Sequence, residues 1–89
     1  MGSILLQELS SPGCHNCKAF DEFWHSVEKD FPNVTYKNVS ILDAEGQELA
    51  VKHGIFSSPG IIINGELFST GGVNKDAFLA KIKELSKTS

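Results

Sequence analysis

Apolar and polar positions follow two periods along this chain, and the change from one to the other marks out its elements. Ile4-Leu5-Leu6-Gln7-Glu8-Leu9 is a short, mostly apolar run that reads as a strand. Beyond it Cys17, Phe20, Phe23, Trp24, Val27 and Phe31 recur at spacings of three and four, the buried stripe of a helix expected from Cys14 to about Asp30. Lys18, Asp21, Glu22, His25 and Lys29 are then expected in solvent. Pro32 ends the helix, and the alternating, β-branched Val34-Thr35-Tyr36-Lys37-Asn38-Val39 follows as a second strand. Strand, helix and strand make a unit whose strands are parallel, with a right-handed crossover.

The second half is read in the same way. Asp43 can cap a helix to about His53, with Leu42, Leu49 and Ala50 facing inward; Gly46 in its interior costs about 1 kcal/mol relative to Ala. A loop, Gly54 to Gly60, leads into Ile61-Ile62-Ile63, an unbroken β-branched run suited to a strand buried on both faces. Asn64-Gly65 predicts a type I′ hairpin, so Glu66-Leu67-Phe68-Ser69 returns antiparallel as an edge strand. Gly71-Gly72 breaks that strand. Asn74 caps a last helix to about Ser86, with Phe78, Ile82 and Leu85 inward.

Composition narrows the possibilities. The 89 residues make room for one domain, residues 1–89, and eight lysines, no arginine and eleven acids leave a net charge of −3. No basic stripe suits a phosphate backbone, so nucleic acid is not an expected partner. The apolar run after Met1-Gly2-Ser3 is too short for a signal peptide and lacks a basic leader. No stretch approaches the ~20 apolar residues of a membrane span. A cytoplasmic monomer is expected.

The chemistry converges on Ser11-Pro12-Gly13-Cys14-His15-Asn16-Cys17-Lys18, which holds both cysteines of the chain at Cys-x-x-Cys spacing between a strand and a helix. The first turn of a helix presents unpaired N–H groups and the positive end of its dipole, so Cys14 is stabilised as the nucleophilic thiolate. Cys17 lies one turn deeper on the same face, within disulfide reach. A structural staple is the weaker reading, because so short a loop yields only roughly 2 kcal/mol. The expected reaction is thiol-disulfide exchange, in which Cys14 attacks, Cys17 resolves and no cofactor is needed.

These features together resemble the thioredoxin superfamily: the order β-α-β-α-β-β-α, a Cys-x-x-Cys opening the first helix, and Pro59 just before the third strand. Length and the Ser-Pro-Gly-Cys lead-in are more similar to the small glutaredoxin-like thioredoxins of archaea and bacteria. The resemblance implies an α/β fold with a four-stranded mixed sheet and helices on both faces. It also implies a protein disulfide reductase serving electron transport and cell redox homeostasis, with disulfide-containing proteins as substrates. A thioredoxin-reductase-type flavoprotein or glutathione would supply electrons.

Residue by residue, the resemblance implies a cis bond at Pro59, with the Ser58 backbone binding an extended substrate strand by β-augmentation. Gly71 and Gly72 are similar to the glutaredoxin pair beside the glutathione site, where they let a small thiol approach the backbone; alternatively they are an ordinary strand-to-helix turn. Glu8 stands where thioredoxins keep a buried acid that assists deprotonation of the second cysteine. For Glu8 a side chain turned toward solvent is the favoured reading. His15, if protonated, would stabilise the Cys14 thiolate; neutral and turned outward, it does little. Gly13 and His15-Asn16 replace the Trp and the Gly-Pro of typical thioredoxins, and Ser11 replaces the glutaredoxin lysine.

Two alternatives remain open at this point. A soft-metal module could use Cys14 and Cys17, with His15 as a third ligand, although a helix follows the second strand where small metal chaperones of βαββαβ order place a strand. A redox-inactive interaction domain is the other. Zinc is not expected, since His25 and His53 are not clustered with the cysteines.

Overall fold

The structure, a computed structural model, describes residues 3–87; Met1, Gly2, Thr88 and Ser89, the ends of the expected domain, lie outside the described residues. The elements are β1 (Ile4–Ser10), α1 (His15–Val27), a 3-10 turn (Glu28–Asp30), β2 (Val34–Ser40), α2 (Ala44–His53), β3 (Gly60–Ile63), β4 (Glu66–Thr70) and α3 (Lys75–Lys87). They form one sheet in the order β2-β1-β3-β4. β1 and β2 are parallel, and β3 is antiparallel to both β1 and β4. The mixed four-stranded sheet and its element order are those expected.

Strand parity decides which helix each side chain meets. Ile4, Leu6, Ile61 and Ile63 point to one face, where Phe20 and Trp24 of α1 and Phe78 and Ile82 of α3 cover them. Leu9, Val39 and Ile62 point to the other face, where Ile55 and, from α2, Leu49 and Ala50 close the second core. All three isoleucines of β3 are buried, as a strand covered on both faces requires. Each contributes roughly 1.5–3 kcal/mol by leaving water.

The turns follow local chemistry. Asn64 and Gly65 have φ of 51° and 81°, the pair of positive values a type I′ turn needs, and the Asn64 side chain accepts a hydrogen bond from Leu5 N–H. Asn74 caps α3 through its side-chain oxygen, which accepts from Ala77 N–H at 3.0 Å.

Four local expectations need correction. The first helix does not run evenly to Asp30; it tightens into the 3-10 turn after Val27. Leu42 is 68% exposed, because the Ser40 hydroxyl accepts from Leu42 N–H in a tight turn that leaves Ile41 to pack inward. Asp43 occupies the cap position of α2 with extended backbone, but its side chain makes no cap hydrogen bond. Gly46 is more than a weak point in α2: it is buried, and a Cβ there would come within 1.9 Å of the Ser40 carbonyl oxygen. The missing side chain lets α2 lie directly on the end of β2.

Candidate active site

β1 ends at Ser10, and Gly13, at φ 72°, turns the chain into α1. Cys14 is the N-cap of that helix, and its Sγ accepts from Cys17 N–H at 3.1 Å. The two cysteines are joined as a disulfide, with Cα atoms 5.2 Å apart. Cys14 is half-buried and Cys17 is 5% exposed. One sulfur faces the surface and the other faces the core.

The loop before β3 closes the site from the opposite side. Its Ser58-Pro59 bond is cis, as the resemblance implied. The Ser58 hydroxyl donates to Cys14 Sγ at 3.4 Å and lies 2.7 Å from the Ser11 hydroxyl. Since Ser58 has one hydrogen to give, Ser11 donates to Ser58. Gly71, with φ of 80°, donates its N–H to the Pro59 carbonyl, and its own carbonyl accepts from the Asn16 side chain at 3.1 Å. Gly71 is thus tied to both walls of the site. Gly72 borders a separate hollow of about 240 Å³ between α1 and the start of α3. His15 is exposed and lines an open recess of about 430 Å³ beside the cysteines, together with Lys18, Asp21 and Asn38.

A model of the thioredoxin domain matches residues 6–84 of this chain, taking in the cysteine pair, most of β1 and the other three strands. The chain belongs to the thioredoxin family. It is 30% identical over 87 residues to a thioredoxin of Methanocaldococcus jannaschii, an alignment covering 94% of this chain and 98% of that one. Among solved structures it is similar to oxidised mitochondrial thioredoxin 3 of Saccharomyces cerevisiae, with a TM-score of 0.74 at 19% identity over 96% of this chain and 81% of that one. It is also similar to thioredoxin f2 in a complex with ferredoxin: thioredoxin reductase, with a TM-score of 0.74 at 15% identity over 94% of this chain and 78% of that one. With its Cys-x-x-Cys pair joined, this member of the thioredoxin family is a protein disulfide oxidoreductase working by thiol-disulfide exchange.

The expectation that Glu8 turns to solvent is corrected, since it is 0% exposed. Parity on β1 puts it on the same face as Ile4 and Leu6, under α1. Its Oε1 lies 2.5 Å from the Tyr36 hydroxyl and 3.4 Å from the Asn38 amide, and its Oε2 is buried with no hydrogen-bond partner among the described residues. Burial pushes the carboxyl up to about 7; the Tyr36 hydrogen bond pulls it back in part, and the nearby Asp21 charge raises it further. Burial and the two carboxyls likewise hold the Tyr36 phenol above its ordinary range, so it stays a neutral donor.

Asp21 is also corrected. It is half-buried against Tyr36 at 2.8 Å and lies 3.4 Å from His25, which is itself 2.7 Å from Glu28 and held above its ordinary value chiefly by that contact. Sequence reasoning missed Ser11, Asn16, Asp21, Tyr36 and Asn38 as parts of the site. Only Asp21 had a local signal, standing four residues after Cys17 on one helix face. The soft-metal alternative loses its topological basis, since α2 follows β2 in this thioredoxin fold.

Proposed function

We propose that this protein is a cytoplasmic, monomeric, single-domain disulfide reductase in which Cys14 is the nucleophile and Cys17 the resolving thiol. The observation that carries the reading is the asymmetry of the pair. Cys14 is half-buried at a helix N-terminus with the Cys17 N–H and the Ser58 hydroxyl directed at its sulfur, whereas Cys17 is 5% exposed. Both donors strengthen when the acceptor is a thiolate, which favours attack by Cys14.

The substrate is a protein disulfide lodged against Ser58 and Pro59, its backbone paired with that of Ser58. The Cys14 thiolate forms a mixed disulfide and Cys17 then displaces the reduced substrate, leaving the Cys14–Cys17 disulfide. A flavoprotein of the thioredoxin-reductase type restores the dithiol, with glutathione as the alternative donor. The complex of a structural neighbour with a reductase supports a protein donor of that general kind. His15, exposed beside Cys14, adds positive charge to the thiolate's surroundings when protonated.

Cys14→Ser is expected to abolish reduction of a protein disulfide, and Cys17→Ser to accumulate mixed disulfides visible by mass; equal trapping by the two variants would reverse or cancel the roles. Equilibrium titration in thiol-disulfide buffers sets the direction of flow. A midpoint near about −270 mV marks a reductant, and one near about −120 mV an oxidant and the end of the reductase reading.

A further inference from the structure

The open recess beside the cysteines holds groups that the exchange mechanism does not use. Neither Ser58 nor Pro59 borders it, so it is separate from the groove assigned to protein substrates. Its volume of about 430 Å³ falls in the range of small-molecule sites. Part of its lining is made of small residues, Ser10, Ser11 and Gly13, and beyond the chain neighbours of Gly13 nothing lies within 4 Å of where a Cβ on it would stand.

The rest of the lining includes a stripe of α1. Cys14, Lys18 and Asp21 stand at i, i+4 and i+7, spacings that share one helix face, and all three border the recess. The stripe presents a sulfur, a cation and an anion in that order. Lys18 is exposed and has no ion-pair partner among the described residues. Helix side chains lean toward the N-terminal end, which carries the Lys18 ammonium back toward Cys14. Both contacts of Asp21, to Tyr36 at 2.8 Å and to His25 at 3.4 Å, are made by Oδ1, which leaves Oδ2 to take another donor.

A ligand that meets all three groups needs a sulfur for Cys14, a carboxylate for Lys18 and an ammonium for Asp21, close enough together to match successive turns of one helix. An α-amino acid with sulfur on its β-carbon has this arrangement. Both of its charged groups sit on one carbon, and the sulfur is two bonds away. A simple anion would be repelled by Asp21, and a simple cation by Lys18.

We propose that the recess binds a small amino-acid disulfide of the cystine class as a second substrate, its carboxylate on Lys18 and its ammonium on Asp21. The proposal rests on the exchange mechanism above. The Cys14 thiolate attacks one sulfur of the ligand, the ligand's disulfide bond breaks, and one half leaves as a thiolate that takes a proton from water. Cys14 then holds the other half as a mixed disulfide. Cys17 gives its proton to water and its sulfur attacks Cys14 Sγ, expelling the second half as a thiolate that is protonated in turn. The ligand is reduced by two electrons to two thiols, and the Cys14–Cys17 dithiol is oxidised to the disulfide seen here.

The test compares four disulfides on the reduced protein. Cystine carries both charged groups, cystamine lacks the carboxylate, dithiodipropionate lacks the ammonium, and glutathione disulfide has the corresponding groups tied up in peptide bonds. Formation of the Cys14–Cys17 disulfide is read by mass after alkylation of the remaining thiols. Each rate constant is divided by that of dithiothreitol with the same disulfide, which removes differences in intrinsic reactivity. Cystine should exceed each of the other three by about fivefold, the upper end for one solvent-exposed ion pair, and the advantage should shrink in high salt. Lys18→Met should erase the advantage over cystamine and keep that over dithiodipropionate; Asp21→Asn should do the reverse. The readings are ratios within one protein, so a general effect of either substitution on exchange cancels.

Equal normalised rates for the four disulfides overturn the subsite, and so does a preference for glutathione disulfide. A cystine preference that both variants keep overturns its assignment to Lys18 and Asp21. A protein that none of the disulfides oxidises overturns the exchange function itself, and is told apart because all rates vanish instead of converging. If Asp21→Asn fails to fold, the four-disulfide series on wild type and Lys18→Met still decides.

Discussion

The Ser58 hydroxyl donates to Cys14 Sγ across 3.4 Å, bringing together two residues 44 positions apart. Ser58 is held in turn by Ser11, 2.7 Å away. When Cys14 is a thiolate this bond is charge-assisted and stronger than in the disulfide. Ser58→Ala should therefore raise the Cys14 thiol pKa by about one unit, the scale of one hydrogen bond to a charged group at a half-buried site. The pH dependence of alkylation of the reduced protein reads it, and an unchanged profile would mean that the hydroxyl turns away on reduction.

Glu8 makes stability depend on pH in the opposite sense to a paired surface acid. Its ordinary value of 4.5 is pushed to about 7 in the folded protein, chiefly by burial. Between these values the native state holds the proton more tightly than the unfolded chain, so the contribution is full below about pH 4.5 and is lost as pH rises through about 7. Glu8→Gln should flatten this decline and leave the variant more stable than wild type at pH 8, by an amount on the order of 2 kcal/mol. Urea midpoints at pH 5 and pH 8 compare the two; a constant difference between wild type and variant would refute the shift.

Gly46 separates helix propensity from packing. In an isolated helix Gly→Ala stabilises by about 1 kcal/mol. Here the added Cβ would meet the Ser40 carbonyl oxygen at 1.9 Å, so α2 must move off β2. Gly46→Ala should destabilise by roughly 1–3 kcal/mol, measured as a lower denaturant midpoint. A gain in stability would mean that α2 slides without cost.

Asn16 ties α1 to the Gly71 carbonyl at an exposed position. Asn16→Ala should cost no more than about 1 kcal/mol globally. The local effect is larger, because the Gly71 N–H bonded to the Pro59 carbonyl loses its support from the far side. Amide exchange at Gly71 should accelerate several-fold with the denaturant midpoint almost unmoved; equal protection in both proteins would show that Pro59 alone holds the loop.

Much of this was legible in residue order. The helical stripe from Cys17 to Val27, the isoleucine run of β3 and the Asn64-Gly65 turn each depend on neighbours within a few positions, and each stands as read. Leu42 was misread for a local reason that the pattern does not carry: an apolar residue next to a helix start counts as inward until the Ser40 turn rotates it out. Glu8 was misread because a lone acid among apolar residues gives no sign of a partner, and its partner Tyr36 lies 28 positions away on another strand.

By itself the sequence determined the elements, their order, the parallel pairing of the first two strands and the placing of Cys14 and Cys17 at a helix start, since periodicity, turn residues and spacing are local properties. Only the tertiary structure decided what surrounds the sulfurs: the Ser58 hydroxyl on Cys14, the Gly71 strap, and one phenol shared by two carboxyls. Those contacts join residues that the chain keeps far apart. Hydrogen bonds over such separations exist only after the sheet has set its register and the helices have packed on it.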